Sequence, residues 1–160
     1  MKRKKLGAQG FTLIEILIVI GIIGILAAVV LVAINPSRQF AQAHNTQRVS
    51  NVNAILNAIG QNMVDNKGMF TCNAVGAVVD ETTRTIKYVT ASTIGATNLR
   101  PCLVPVYMSE LPFDPIAPGA HVTNATDYDT GYTISIATTT GRVTITAPSA
   151  ELGETISITR

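Results

Sequence analysis

The chain has 160 residues, and its first thirty-five or so form a basic leader and an apolar run. About 125 remain for soluble structure, enough for one domain with one modest core and too few for two. The net charge of +2 is a leader effect, because Lys2, Arg3, Lys4 and Lys5 supply four of the twelve basic residues; a product starting at Phe11 carries eight against ten acidic residues, a net of −2. The other cations, from Arg38 to Arg160, are dispersed, so nothing in the charge pattern supports a nucleic-acid partner.

After the leader MKRKKLGAQG comes FTLIEILIVIGIIGILAAVVLVAI, residues 11–34. As a helix this run is about 36 Å long at 1.5 Å per residue, enough to cross a bilayer. It is too long for the apolar core of a cleaved secretory signal, and no small-residue cleavage site follows it convincingly. Four cations in the leader hold that end on the cytoplasmic side and direct the rest of the chain outward. Glu15 is the anomaly, since a carboxylate in a membrane-length run costs roughly 2.5–3.5 kcal/mol on insertion scales. A plain anchor leaves it unexplained unless it snorkels to the interface near the helix end.

Gly10-Phe11-Thr12-Leu13-Ile14-Glu15, after a short basic leader and ahead of an unbroken apolar run, resembles the N-terminal motif of type IV prepilins and type II secretion pseudopilins. The resemblance implies a cut between Gly10 and Phe11 by a membrane prepilin peptidase, N-methylation of Phe11, and an assembly role for Glu15. The residues agree with it. A cut before the run frees an amine at Phe11 about one helical turn from Glu15, and a carboxylate in an apolar setting seeks such a cation. When apolar stems pack side by side, the Phe11 amine of one copy can meet the Glu15 of another and set their register, as one polar group does in coiled coils.

Gly21 and Gly24 allow close helix approach, and Asn35-Pro36-Ser37 breaks or kinks the helix. Many members of the family carry that proline about four residues earlier, where this chain has Val32; in them the segment between glycine and proline can melt on assembly. Beyond it, Val49, Val52, Ile55, Leu56, Ile59 and Met63 recur at three- and four-residue spacing, one stripe of an amphipathic helix that stops near Asn66-Lys67-Gly68. With the apolar run this makes one long, kinked helix of about 50 residues. His44 reads as a solvated helix residue.

Residues 69–105 read as a connecting region with two strand candidates, Ala77–Val79 and Thr85–Val89. Thr90-Ala91-Ser92-Thr93 and Gly95-Ala96-Thr97-Asn98 read as turns. Cys72 and Cys102 bracket this region; outside the cytoplasm they can form a disulfide worth about 3–4 kcal/mol, and without a CxxC spacing a redox or metal pair is the weaker reading. Leu111-Pro112-Phe113-Asp114-Pro115 is a proline-fixed corner, and a similar L-P-x-D-P recurs in pseudopilins and several pilins before their sheet.

Period-two alternation marks three strands, Tyr132–Ile136, Val143–Thr146 and Ile156–Thr159, with a hairpin turn at Thr138–Gly141. Ile134, Ile136, Val143, Ile145, Ile156 and Ile158 share one face, which the striped helix covers; threonine and serine line the other. The expected class is α+β, a long N-terminal helix packed on a small antiparallel head, with 1–10 a cleaved leader, 11–36 a transmembrane and polymerisation stem, and 37–160 a pilin-like head.

Two further patterns are weaker. Asn124-Ala125-Thr126 fits the N-x-[ST] acceptor pattern, though bacterial transfer often requires more than the tripeptide. Asp114, Asn124, Asp127 and Asp129 cluster before the first strong strand, and D-Y-D-T-G resembles the start of a calcium loop, as some pseudopilins have; the bidentate glutamate such a loop needs is missing. These carboxylates read first as ordinary loop-turn residues, so the expectation is no cofactor and no metal, with calcium as the alternative. His44 and His121 stand without a nucleophile or ligand spacing, and no P-loop, HExxH or G-x-S-x-G occurs, so the expectation is a structural protein and not an enzyme.

The resemblance implies as partners other copies of the chain and related pilins, the prepilin peptidase, and a membrane assembly platform driven by a cytoplasmic ATPase. It implies a single-pass plasma-membrane precursor with its head outside, which later joins an extracellular pilus or a periplasm-spanning pseudopilus. The competing class is a membrane-anchored extracytoplasmic binding or adhesion module that does not polymerise and tolerates loss of Glu15.

Overall fold

A computed structural model describes residues 10–91 and 94–160. The basic leader up to Gln9, and Ser92-Thr93 of one expected turn, lie outside the described residues. The chain divides into two compact units, 1–39 and 40–160.

In the first unit the apolar run forms α1 (Leu13–Ala33). Its stretch Leu13–Val32 is long and apolar enough to cross a membrane. Every described residue from Gly10 to Val32 is exposed. The helix stops where Ile34 turns extended, at φ −93° and ψ 103°, and α2 (Pro36–Asp65) starts anew. Asn35 is the reason. Its Oδ1 accepts from Ser37 Oγ at 2.7 Å and from the Arg38 N–H at 3.3 Å, an N-cap followed by a proline at the first helical position, where the missing N–H costs nothing. The single kinked helix expected from the sequence is therefore two separately capped helices.

In the second unit α2 lies on a six-stranded sheet of order β2-β1-β4-β5-β6, with β3 paired to β4 outside that path. The strands are β1 (Arg84–Lys87), β2 (Ala96–Thr97), β3 (His121–Asn124), β4 (Asp127–Ile136), β5 (Val143–Ala147) and β6 (Ile156–Thr159), and a short α3 (Arg100–Leu103) follows β2. The core joins Val52, Ile55, Leu56 and Ile59 of α2 to Tyr132, Ile134, Val143, Ile145 and Ile156 of the sheet, with Leu99, Leu103 and Leu111 from the connections. Each fully buried aliphatic contributes roughly 1.5–3 kcal/mol, and the alternation of β4 and β5 puts these residues on one face. Ile136 and Ile158 are only partly buried against that core. Val49 leaves the stripe and is 41% exposed.

α2 ends close to the expected stop. Lys67 takes the left-handed position just past the helix, at φ 58°, with Gly68 following at φ 89°, and the Gly68 N–H closes the end by donating to the Met63 carbonyl at 2.7 Å, the longer bond of a Schellman cap.

Corrections fall in the connecting region and at its edges. Ala77–Val79 forms no strand, because the edge of β1 is taken by β2, which runs parallel to it. The Val78 N–H instead donates to the hydroxyl of Thr97 at 3.1 Å. Gly95–Asn98, expected as a turn, therefore holds a strand, and the sheet is mixed where an antiparallel one was expected. β3 and α3 had no expectation behind them. β4 begins five residues before the expected strand, since Tyr128 and Thr130 continue the inward alternation of Tyr132 and Ile134. D-Y-D-T-G is thus strand, with Asp127 and Asp129 on its outward positions.

Cys72 and Cys102 form a disulfide with Cα atoms 5.4 Å apart, closing a separation of 30 residues. The loop is tied to α2 as well: Asn62 donates to the Thr71 carbonyl at 3.2 Å and accepts from its N–H at 3.0 Å. Replacing both cysteines by serine is expected to lower the stability of this unit by about 3–4 kcal/mol, read as a lower urea midpoint with a somewhat larger m-value, since the unfolded chain is no longer cross-linked. A loss under about 1 kcal/mol would show that the Asn62 clamp already holds the loop.

Candidate functional site

The site singled out by the sequence lies at the start of α1. Gly10, Phe11 and Thr12 are non-helical and exposed, and Phe11 is 84% accessible. Thr12 is the N-cap of α1, and Glu15 is the third helical residue, which places the carboxylate in the first turn. The two form a capping box. Thr12 Oγ1 accepts from the Glu15 N–H at 3.2 Å, and the Glu15 carboxylate reaches back to accept from the Thr12 N–H at 2.9 Å and the Thr12 hydroxyl at 2.8 Å. Orphan donors of the first turn are satisfied in this way, and the carboxylate faces the positive end of the helix dipole.

Glu15 is therefore held by its own chain. The signal was present in the sequence, since Thr12-Leu13-Ile14-Glu15 is a T-x-x-E ahead of an apolar run. Both bonds fall on Oε2; Oε1 has no partner among the described residues. The site thus offers an anchored carboxylate with one oxygen open to a donor, next to an exposed Gly10–Phe11 peptide bond outside the helix.

In the second unit the four calcium candidates, Asp114, Asn124, Asp127 and Asp129, have separate partners. Asp114 is buried at 1% exposure and accepts from Arg48 twice, at Oδ2 from Nε (2.7 Å) and at Oδ1 from Nη2 (3.0 Å). The N–H groups of Ile116 and Ala117 also donate to Oδ1, at 3.0 and 2.8 Å. Asn124 sits in a hairpin turn, Asp127 pairs with His121 at 2.9 Å, and Asp129 accepts from the Gly131 N–H at 2.9 Å. Among the described residues no group of three or more His, Cys, Asp or Glu side chains is placed to hold a metal ion.

Arg48 was missed in the sequence. Its side chain is fully buried, and Nη1 donates to Asn45 Oδ1 and to Glu151 Oε2, both at 2.8 Å. His44 meets the same Glu151 oxygen at 2.9 Å, so it is not merely solvated. Asn51 donates to the Phe113 carbonyl at 3.1 Å and to the Tyr132 hydroxyl at 2.9 Å. Burial pushes the Tyr132 phenol up to about 12, and it stays neutral. The proline corner at Leu111–Pro115 thus delivers Asp114 beneath α2. Gly131 makes room for it: at φ 72° a Cβ there would lie 3.1 Å from Asp114 Cβ and 3.2 Å from two alanine Cβ atoms.

Compared with known families, residues 6–31 match the model of the prokaryotic N-terminal methylation motif, the type IV prepilin-like signal. No curated protein and no solved structure matches the chain. The motif supports a type IV pilin-like or pseudopilin precursor, generally processed by a prepilin peptidase and self-assembling, and it points to a structural protein. The apolar α1 and the motif fit a membrane-anchored pilin.

Proposed function

We propose that this chain is a structural subunit of a type IV pilus-like or pseudopilus filament. The prepilin peptidase cuts it between Gly10 and Phe11, the Phe11 amine is methylated, and subunits join by packing α1 against the α1 helices of neighbours. The observation that carries the reading is α1 itself, a helix of 21 residues with the methylation motif at its head and its described side chains uncovered. Lipid satisfies such a surface before assembly, and other copies satisfy it afterwards, with small residues at Gly21 and Gly24 permitting close approach.

The local geometry suits the cut and the pairing. A peptidase binds its substrate extended, and Gly10–Thr12 is non-helical and exposed. Once the bond is cut, the Phe11 amine is a cation, and the open Oε1 of a neighbour's Glu15 is its natural acceptor, charge-assisted in an apolar setting. Thr12 holds the other carboxylate oxygen meanwhile, so the acceptor is already oriented. A membrane platform and its cytoplasmic ATPase add the subunits, and the heads travel outside the plasma membrane.

The capping box favours one other reading. Because Glu15 has partners in its own chain, a single anchored copy is chemically complete, as a binding or adhesion module would be.

Mass spectrometry of the mature N-terminus tests the processing. A chain starting at Phe11 and carrying one methyl group on its amine is expected from cells with an active peptidase. An intact Met1, or a start after Ala33, would overturn the proposal.

A further inference from the structure

Asn124, Ala125 and Thr126 have no part in filament assembly as proposed above, and the tripeptide alone is a weak signal. Its setting adds three observations. First, it forms the turn of the β3–β4 hairpin: Asn124 pairs with Asp127, and Ala125-Thr126 are the two loop residues. Positions 123–127 are all exposed. Second, neither loop residue takes the left-handed conformation that two-residue hairpins favour; a register shift between Val122 and Asn124 accommodates the difference. Third, Asn124 Oδ1 accepts from the Thr126 N–H at 2.8 Å and from the Thr126 hydroxyl at 3.0 Å. Both lone pairs of that oxygen are then used within the turn. Nδ2 makes no hydrogen bond among the described residues.

We propose that Asn124 is an N-glycan acceptor, its amide held by Thr126 at an exposed hairpin turn with Nδ2 open to solvent. An amide nitrogen is a poor nucleophile because its lone pair is delocalised into the carbonyl. Two hydrogen bonds on Oδ1 draw charge onto oxygen and make an Nδ2 proton easier to remove. The co-reactant is an oligosaccharide joined through its reducing-end C1 to a polyprenyl pyrophosphate, presented by a membrane oligosaccharyltransferase. Nδ2 attacks C1, and the N–C1 bond forms as the C1–O bond breaks. The lipid pyrophosphate leaves with the electron pair, the Nδ2 proton passes to a transferase carboxylate, and nothing is oxidised or reduced. The proposal rests on the proposed function in one respect, that the head lies outside the membrane, where lipid-linked glycans are transferred.

The test uses the full chain purified from its native cells, with mass spectrometry of peptides spanning Asn124 and of the N-terminus in the same sample. A discrete glycan mass is expected on Asn124, lost in Asn124→Gln and Thr126→Val and kept in Thr126→Ser. An unmodified Asn124, a mass on a threonine instead, or a glycan that survives Thr126→Val overturns the proposal. The two readings fail separately. A chain starting at Phe11 with a bare Asn124 removes the glycan and leaves the processing, whereas a glycosylated chain still starting at Met1 does the reverse.

Discussion

Replacing Asp114 by alanine is expected to destabilise the unit 40–160 by about 3–5 kcal/mol, the cost of breaking a buried ion pair, with Glu151 left to compensate the Arg48 charge only in part. Arg48 is enclosed at 0% side-chain exposure, so its guanidinium has no route to water once Asp114 is gone. Asp114→Asn is expected to cost nearly as much, because the amide keeps the shape but not the charge. The double change Arg48→Met with Asp114→Leu is expected to recover most of the loss, since a buried pair exchanged for apolar groups of similar volume is often neutral. Thermal and urea unfolding of the full chain in detergent, followed by far-ultraviolet circular dichroism, reads all of these variants. The surface pair His121–Asp127 is the control: its side chains are 45% and 57% exposed, and its removal is expected to change stability little. An Asp114→Ala chain as stable as the parent would remove the Arg48 network from the account of what holds α2 to its sheet.

The same network fixes the direction of the acid response. Burial works to raise the Asp114 pKa, but the Arg48 hydrogen bonds, the Ile116 and Ala117 N–H groups and the Arg48 charge outweigh it and hold the carboxyl below its usual range. Glu151 is also lowered, first by its Arg48 hydrogen bond. A carboxylate depressed in the folded state contributes stability above its unfolded pKa, about 3.9 for Asp and 4.3 for Glu. That contribution is lost as pH falls through the folded value. Stability is therefore expected to hold from about pH 7 to 5 and to fall below about pH 4, with a shallower fall in Asp114→Ala.

Glu15→Ala is expected to insert into the membrane normally and to abolish filaments. Glu15→Gln separates the two roles the side chain can have. Glutamine also serves the third position of a capping box, so the start of α1 survives, while the charge that would meet a neighbour's Phe11 amine is gone. Filaments are expected to be lost in both variants, as seen by electron microscopy of sheared surface material or of membranes in which the chain is overproduced. Normal filaments from Glu15→Gln would sink the charge pairing and leave Glu15 as a cap. Normal filaments from Glu15→Ala would favour the single anchored module.

The parts of the fold legible in the sequence are those where hydropathy and burial coincide. Val52, Ile55 and Ile59 announce the covered face of α2, and Ile134, Val143 and Ile145 announce the sheet. Arg48 was illegible for a definite reason. The buried positions Ala41, Asn45, Arg48, Val52, Ile55, Ile59 and Asn62 keep three- and four-residue spacing throughout, but toward the N-terminal end they are polar. The geometric period persists while the apolar signal is interrupted at Asn45 and Arg48, and again at Asn62. Extending the stripe backwards from Val52 would have placed Asn45 and Arg48 inside; the partners of Arg48, Asp114 and Glu151, lie 66 and 103 residues away, beyond any local pattern. Asp127 and Asp129 pass for loop residues when acidic content is weighed above alternation, although Tyr128, Thr130 and Tyr132 carry the period of the strand. At the N-terminus the motif is plain, and the T-x-x-E of Thr12 and Glu15 within it carries the capping box.

The gap at Ile34-Asn35 also has a meaning for how order spreads along the chain. A helix grows residue by residue from a nucleus, and that cooperativity ends wherever the hydrogen-bond ladder does. Asn35 gives α2 its own nucleation point, and the extended Ile34 ends the ladder of α1. Fraying in the last turns of the apolar helix thus has a firebreak before it reaches the helix that carries the core.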